Sequence, residues 1–397
     1  MTRLSKSFID KLPIPESSNG KTKQAFYRDS ALPGFGLRVT SGGSKAFIVE
    51  KRINGRVKRL TIGKYGPLTP EKARNKAIEV LGDITVGKDP IAEKRAISAK
   101  KVTLQEAFES YQKSRKDLKP GTIKNYQKCV DGCLSDWKGR PLTSISKDMV
   151  EERHHEIGQR APARANNTMR VLRAIFNHAM EKYEDGQGEP IIRTNPIDRL
   201  RRNRAWYRVE RRTGVIKQHQ LKAWNDAVEQ QTLEVTRDFL RFLLFTGLRK
   251  MEAATLRWQD VDLIDRTFTI PDTKNREKHV LPLPNYLFKL LTKRKEAARK
   301  GEVWVFPSPQ YDTHFKEPRH AIKHVTEHSG VAFTLHDLRR TFITIAESLD
   351  IPAYALKRLL NHRNPNDVTA GYIVADVERL RTPMEKIAVC LQELMTP

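Results

Sequence analysis

The spacing of apolar residues along this chain changes period more than once, and neither an all-helical nor an all-β fold accommodates that. From about residue 26 to 64 the pattern is strand-like, which sends successive side chains to opposite faces of a pleated strand. Residues 35–39 alternate, Ser41-Gly42-Gly43-Ser44 turns, and 46–51 runs apolar and then mixed. Asn54-Gly55 is a hairpin signal and 57–62 returns. A helix is expected from Thr69, with Pro70 at its first position and Gly87 as its stop. Past Thr103 the period is helical, in four segments that begin at Thr103, Pro120, Ser146 and Pro162 and end near Tyr183. From Val215 a mainly helical region follows, broken by one β insertion over 267–282 whose polar tip is 273–277.

The expected fold class is therefore multidomain α+β. A small sheet plus helix takes residues 1–95, and a basic, weakly periodic stretch over 96–102 reads as a linker. An all-α domain takes 103–198, and the arginine-dense 199–214 reads as an extended tether. A mainly α domain with a small sheet takes 215–397. A chain of 397 residues is long enough to give each block its own core.

Charge narrows the partner. Lysine and arginine number 73 against 47 acidic residues, a net +26, which attracts a polyanion. Nucleic acid is the first expectation and a membrane surface its rival. No apolar run approaches the roughly 20 residues of a membrane span, and MTRLSKSFIDKLPIP lacks the apolar core of a signal peptide. A soluble protein of the cytoplasm is expected. Arg38, Lys51, Arg52, Arg56, Lys58 and Arg59 stud the N-terminal strands, and a twisted hairpin fits a DNA major groove. Lys124, Lys128, Arg164 and Arg170 mark the helical block as a second phosphate-tracking surface. The plainer alternative for both sets is a solvated basic face. Cys129, Cys133 and Cys390 form no CxxC pair and read as reduced thiols.

Four stretches of the last block carry reactive side chains. In FTGLRKMEAATLRW, Gly247 interrupts an apolar helix and a new helix starts at Arg249, with Glu252 one turn on, where it can orient the guanidinium. Lys274 sits at the hairpin tip, and LHDLRRTF sets His336 beside Arg339. LLNHRNPNDVTAGYIV adds His362 and Tyr372. Singly, each has an ordinary explanation: a surface ion pair, a solvated lysine, a packed histidine, a core tyrosine. Together they meet the needs of phosphodiester transfer to a protein hydroxyl. Two planar guanidinium forks suit nonbridging oxygens where charge builds up. A phenol with a pKa near 10 is only about 0.1% ionised at pH 7, a cost of roughly 4 kcal/mol that a base and a cationic pocket offset. A hairpin lysine can protonate the departing 5′ oxygen. No metal, ATP or other cofactor is required.

These motifs, TGLRKME, the hairpin lysine, HDLRRTF and LLNH…GYI, resemble the active-site pattern of the tyrosine recombinases, in the phage-integrase branch. The stretch PGFGLRVTSGGSKAFIVEKRINGRVKRLTIGKYGPLTPEKAR resembles the arm-type DNA-binding domain of prophage and genomic-island integrases. The resemblance implies an arm-type domain, a helical core-binding domain and a catalytic domain in that order. It also implies that Arg249, Arg339 and His362 hold the scissile phosphate, and that His336 serves general acid–base transfer. Lys274 would protonate the leaving group, Tyr372 would attack to give a 3′-phosphotyrosyl link, and Glu252 would support Arg249. Lys278, four residues on, is an alternative to Lys274. Asn361 departs from the family by standing where many relatives have glycine, and the interval from His362 to Tyr372 is about one residue longer than usual.

The partners implied are double-stranded DNA at core-type and arm-type attachment sites, a homotetramer on that DNA, and accessory bending and directionality proteins. The tail's amphipathic segment, residues 384–394, is expected to dock on a neighbouring subunit. Two rival functions remain at this point: a type IB topoisomerase with the same chemistry, and a catalytically inactive DNA-binding regulator. Tyr354 is expected in the core and Tyr311 in a polar loop. His320, His324 and His328 fall on one helical face, but without the acidic residue of an HExxH motif no metal is expected there.

Overall fold

The computed structural model describes residues 3–16, 23–53, 56–86, 97, 100–185, 188–273, 277–310, 312–316, 318–361 and 376–396. They form two compact units, Met1–Glu210 and Arg211–Pro397.

The first unit opens with a short helix, α1 (Lys6–Asp10), started by the Ser5 hydroxyl. Four antiparallel strands follow in sequential order: β1 (Gln24–Arg28), β2 (Phe35–Thr40), β3 (Lys45–Ile53) and β4 (Arg56–Lys64). Phe35, Leu37, Val39, Phe47 and Val49 line one sheet face and pack with Ala73 and Ala77 of α2 (Pro70–Thr85). That helix starts as expected, with Thr69 as cap and Pro70 at the first position, and closes at Val86. Asp29, 3% exposed, accepts from the Leu4, Ala31 and Leu32 amides and from Arg74, tying the N-terminus to sheet and helix.

The same unit holds a second core built on helices α3 (Leu104–Ser114), α4 (Pro120–Cys133), α5 (Lys147–Arg160) and α6 (Pro162–Lys182). Their starts follow the sequence. Thr103 and Glu106 form a reciprocal cap worth about 1 kcal/mol, Ser146 caps α5, and prolines open α4 and α6. Central α6 packs on the other three helices. Its Ala165, Met169, Leu172, Ile175, Phe176 and Ala179 are buried, the period expected of a core-facing stripe. The expected tether from Arg199 is different in the structure. α7 (Asp198–Arg202) is helical, Leu200 is buried in this core, and Trp206 packs against it. Tyr207 lies so close to Gly158 that a Cβ there would meet its ring at 2.1 Å. One leucine and two aromatics draw residues 198–207 onto the domain, while 208–214 are exposed and outside any helix or strand.

The second unit contains α8 (Leu221–Glu229), α9 (Glu234–Thr246), α10 (Lys250–Ala254), α11 (Asn285–Glu296), α12 (Arg319–Ser329), α13 (Leu335–Ser348), α14 (Ala353–Leu359) and α15 (Glu378–Met395). Its antiparallel sheet has three strands, β5 (Val261–Asp262), β6 (Thr267–Ile270) and β7 (His279–Pro282). The short β5 was not foreseen. The amphipathic tail expected to reach a neighbour is packed in cis. Leu380, Met384, Ile387, Ala388, Leu391 and Met395 of α15 are buried in the unit's own core, and α15 packs against α8, α13, α14 and β7. Tyr354, expected in the core, is 40% exposed on α14 with the Lys357 ammonium 5.1 Å from its ring centre. No helix among the described residues is long and apolar enough to cross a membrane.

Candidate active site

The break at Gly247 positions the first arginine. α9 ends there with Gly247 in the left-handed region, φ 62°, and a Cβ would stand 2.6 Å from the Phe342 ring. Glycine meets both demands. The chain then re-enters helix at α10 with Arg249 as its N-cap residue. Glu252, only 7% exposed, accepts from the Arg249 amide at 3.0 Å and from Arg249 Nη1 at 2.9 Å. One carboxylate thus caps the helix and orients the guanidinium.

The second arginine comes from α13, whose start is fixed by Asp337. That carboxylate accepts from the amide and the hydroxyl of Thr334 at 2.8 and 2.7 Å. Thr341, one turn further on, accepts from the Ile216 amide at 2.9 Å and ties the beginning of this unit to α13. Arg339 is 4% exposed; Nη1 donates to the Gly247 carbonyl and Nη2 to the Leu360 carbonyl at 2.8 Å. Burial and the Arg249 guanidinium bring its pKa down to about 10, against the pull of Glu252. It stays protonated at neutral pH, in a setting where an anion would relieve both causes.

His336 is exposed on the same helix. Partial burial, then the Arg340, Arg339 and Arg249 guanidiniums, hold its imidazole below the usual range, so the neutral form prevails at pH 7. Sequence reasoning missed a second imidazole. His279, first residue of β7, has Nε2 3.2 Å from the Leu359 carbonyl. Burial lowers its pKa, with Arg339 and Arg249 adding to the effect and the Leu359 bond and Glu252 opposing it. A β-start histidine carries no signal by itself, because its partner is 80 residues away. At the base of the hairpin, Thr273 Oγ1 donates to the Glu277 carbonyl at 3.0 Å. Lys278 is exposed just beyond it.

The structure thus brings Arg249, Glu252, His336 and Arg339 together. Lys274, His362 and Tyr372 lie outside the described residues, as does Tyr311. Asn361 has φ 49°, the left-handed conformation that glycine and asparagine favour after a helix. Two of the three histidines on that face of α12, His324 and His328, make contacts of their own. Gln231 Nε2 lies 2.6 Å from His324 Nδ1, His328 Nδ1 donates to the His324 carbonyl, and the two rings stack at 3.9 Å.

Strand register sorts the basic residues of the first sheet. Phe26 pairs with Arg38, Arg38 with Ala46, Glu50 with Arg59 and Arg52 with Val57, so Arg38, Arg52 and Arg59 share the face away from α2. Glu50 braces this face, bonded to Arg59 at 2.7 Å and to Arg28 at 3.4 Å, while Arg59 lies 3.8 Å over the Phe26 ring. Lys51 and Lys58 pair with each other and have the parity of Phe47 and Val49, placing them on the opposite face. Arg56 begins β4, and its side chain is outside the described set. In the helical core Lys124, Lys128 and Arg170 are exposed, Arg170 over the Trp206 ring at 5.6 Å. Arg164 is half-buried. It donates to the Lys128 carbonyl at 2.7 Å and to Cys133 Sγ at 3.4 Å, which makes it a tie between α6 and α4.

A left-handed glycine between two helices, an N-cap arginine locked by its acid, and a buried arginine three residues after a histidine stand together on a tyrosine recombinase fold. The sequence model of the phage integrase family matches residues 214–379, and an arm DNA-binding domain model matches residues 4–97. It is 26% identical to the prophage integrase IntF of Escherichia coli K12, over 96% of this chain and 88% of that one. It is also 26% identical to the integrase of Shigella phage Sf6, over 91% and 93%. Among solved structures, the lambda integrase tetramer bound to a Holliday junction shares the fold with a TM-score of 0.54 and 19% identity, over 85% of this chain and 97% of that one.

Proposed function

We propose that this chain is a site-specific DNA recombinase that integrates or excises a mobile element through a 3′-phosphotyrosyl intermediate. The observation that carries the reading is the convergence of Arg249 and Arg339 from separate helices, the latter buried and lowered toward 10 by its surroundings. A phosphodiester placed there would take bidentate hydrogen bonds on its nonbridging oxygens, where transition-state charge accumulates. Tyr372 Oη would form the new bond to phosphorus as the P–O5′ bond breaks. The phenol proton would pass to neutral His336, Lys274 or Lys278 would give a proton to O5′, and His362 would bond the phosphoryl oxygen. Rejoining reverses these transfers with an incoming 5′ hydroxyl, and the phosphotyrosine conserves the bond energy without ATP or metal.

Residues 1–95 serve in this reading as the arm-type DNA-binding domain, 103–198 as the core-binding domain and 215–397 as the catalytic domain. The sheet face bearing Arg28, Arg38, Arg52 and Arg59 is the arm-site reader, and Lys124, Lys128 and Arg170 track core-site phosphates. Assembly as a homotetramer on double-stranded DNA follows from the pairwise exchange of strands. Accessory bending and directionality proteins fit a chain with two kinds of DNA site.

The test is incubation with a nicked attachment-site duplex that loses its 5′ hydroxyl on cleavage. A protein–DNA adduct stable to denaturation is expected, and its absence under conditions of tight binding would point to the inactive regulator. Abundant relaxation of a supercoiled plasmid lacking any attachment site would favour the topoisomerase.

A further inference from the structure

The last turn of a helix leaves its carbonyls without intrahelical donors. At the end of α14 two consecutive carbonyls are taken by side chains from distant elements. Leu359 accepts from His279 Nε2 at 3.2 Å, and Leu360 accepts from Arg339 Nη2 at 2.8 Å. Asn361 then turns the chain through the left-handed region. Arg339 also holds Gly247, two residues before Arg249. The imidazole therefore joins a bonded set that runs from β7 through α14 and α13 to the turn before α10.

We propose that His279 is a positioning residue for strand transfer. Its bond to the Leu359 carbonyl fixes the end of α14, and so the origin of the segment bearing His362 and Tyr372, against the arginine that binds phosphate. The proposal rests on the function argued above.

The chemistry suits this role. A carbonyl only accepts, so Nε2 carries the hydrogen, and a neutral ring meets that need. Burial favours the neutral form, and the charged groups that bear on the ring are Glu252 on α10 and the guanidiniums of Arg249 and Arg339. A lysine or arginine here would add a third cation to that cluster. A neutral donor holds the helix end without competing for the phosphate.

Single-turnover cleavage of the nicked duplex is compared with DNA affinity for the wild type, His279→Phe, His279→Leu and His279→Gln. Loss of the donor should slow cleavage about 10- to 100-fold, as expected when reacting groups are displaced by roughly an ångström, with binding changed less than about twofold. Gln places an amide N–H near the position of Nε2 and should restore cleavage to within about threefold of wild type. Wild-type rates in the Phe or Leu chain, or a Gln chain as slow as they are, would overturn the proposal. If neither donorless chain folds, Gln decides: near-wild-type cleavage supports the proposal, and a tenfold loss with an unchanged melting temperature overturns it. A wild-type chain that forms no adduct would instead overturn the reading of the site itself.

Discussion

Arg339 donates through Nη1 to the carbonyl of Gly247, two residues before Arg249, so one site arginine braces the turn that presents the other. The two guanidiniums are thereby held in a fixed relation before any phosphate arrives, which is the preorganisation that electrostatic catalysis needs. Their supports differ. Arg249 leans on one carboxylate in its own helix, whereas Arg339 ties together Gly247 and Leu360.

That difference predicts different consequences of removal. Arg249→Ala and Arg339→Ala should each lower the cleavage rate by about 10²- to 10³-fold, the usual loss for one oxyanion donor. Only Arg339→Ala should also lower the melting temperature markedly, because it leaves two buried carbonyls without their donor at about 1–3 kcal/mol each. Equal melting temperatures for the two variants would contradict the bracing role.

The pH dependence of adduct formation follows from His336. Its pKa is held below the ordinary imidazole value by partial burial and by Arg340, Arg339 and Arg249. The neutral base is then present throughout pH 7 to 8, and the rate should fall only as pH drops below about 6.5. Stability runs in the same direction. A histidine with a depressed folded pKa binds its proton more readily in the unfolded chain, so stability is complete above about 6.5 and is lost as pH falls through the folded value. Single-turnover rates across pH 5 to 8 check the catalytic half, and a midpoint at or above pH 7 would contradict it.

Register makes a prediction about the first sheet. Arg38→Ala and Arg59→Ala, on the face away from α2, should weaken arm-site binding and each reduce the salt slope by about one. Lys51→Ala and Lys58→Ala should change it far less. Affinity titrations at several salt concentrations decide this, and equal effects from both pairs would mean that the reader is not this face.

Packing of α15 reverses the expectation for the tail. Removal of residues 378–397 takes Leu380, Met384, Ile387, Ala388, Leu391 and Met395 out of the core, at roughly 2–5 kcal/mol for each large side chain before relaxation. The truncated chain should lose cooperative thermal unfolding of the catalytic unit. A chain that still unfolds cooperatively with intact single-site binding would restore the idea of an exchangeable tail.

Much of this was legible because the signals were local. Thr103, Pro120, Ser146 and Pro162 mark helix starts through groups within one turn, and Gly247 announces its break by interrupting an apolar run. The pairings of Arg249 with Glu252 and of His336 with Arg339 were legible because spacing of three places side chains together on a helix. What stayed hidden depends on distant partners. His279 bonds a carbonyl 80 residues on, Arg164 ties two helices instead of facing outward, and Leu200 and Trp206 draw a basic stretch into a core. The tail's amphipathic period was read correctly, but a period identifies an apolar face and not what covers it. The strand alternation was likewise visible, yet pairing register was needed to separate Arg38 and Arg59 from Lys51 and Lys58.

The central claim is that phosphorus is transferred to one phenolic oxygen. Mass spectrometry of the protease-digested adduct from the nicked duplex tests it most directly. The account predicts nucleotide mass on the peptide containing Tyr372 and none on peptides containing Tyr311 or Tyr354, with no adduct from Tyr372→Phe despite unchanged DNA affinity. Nucleotide mass on any other residue, or an adduct that persists in Tyr372→Phe, would contradict it.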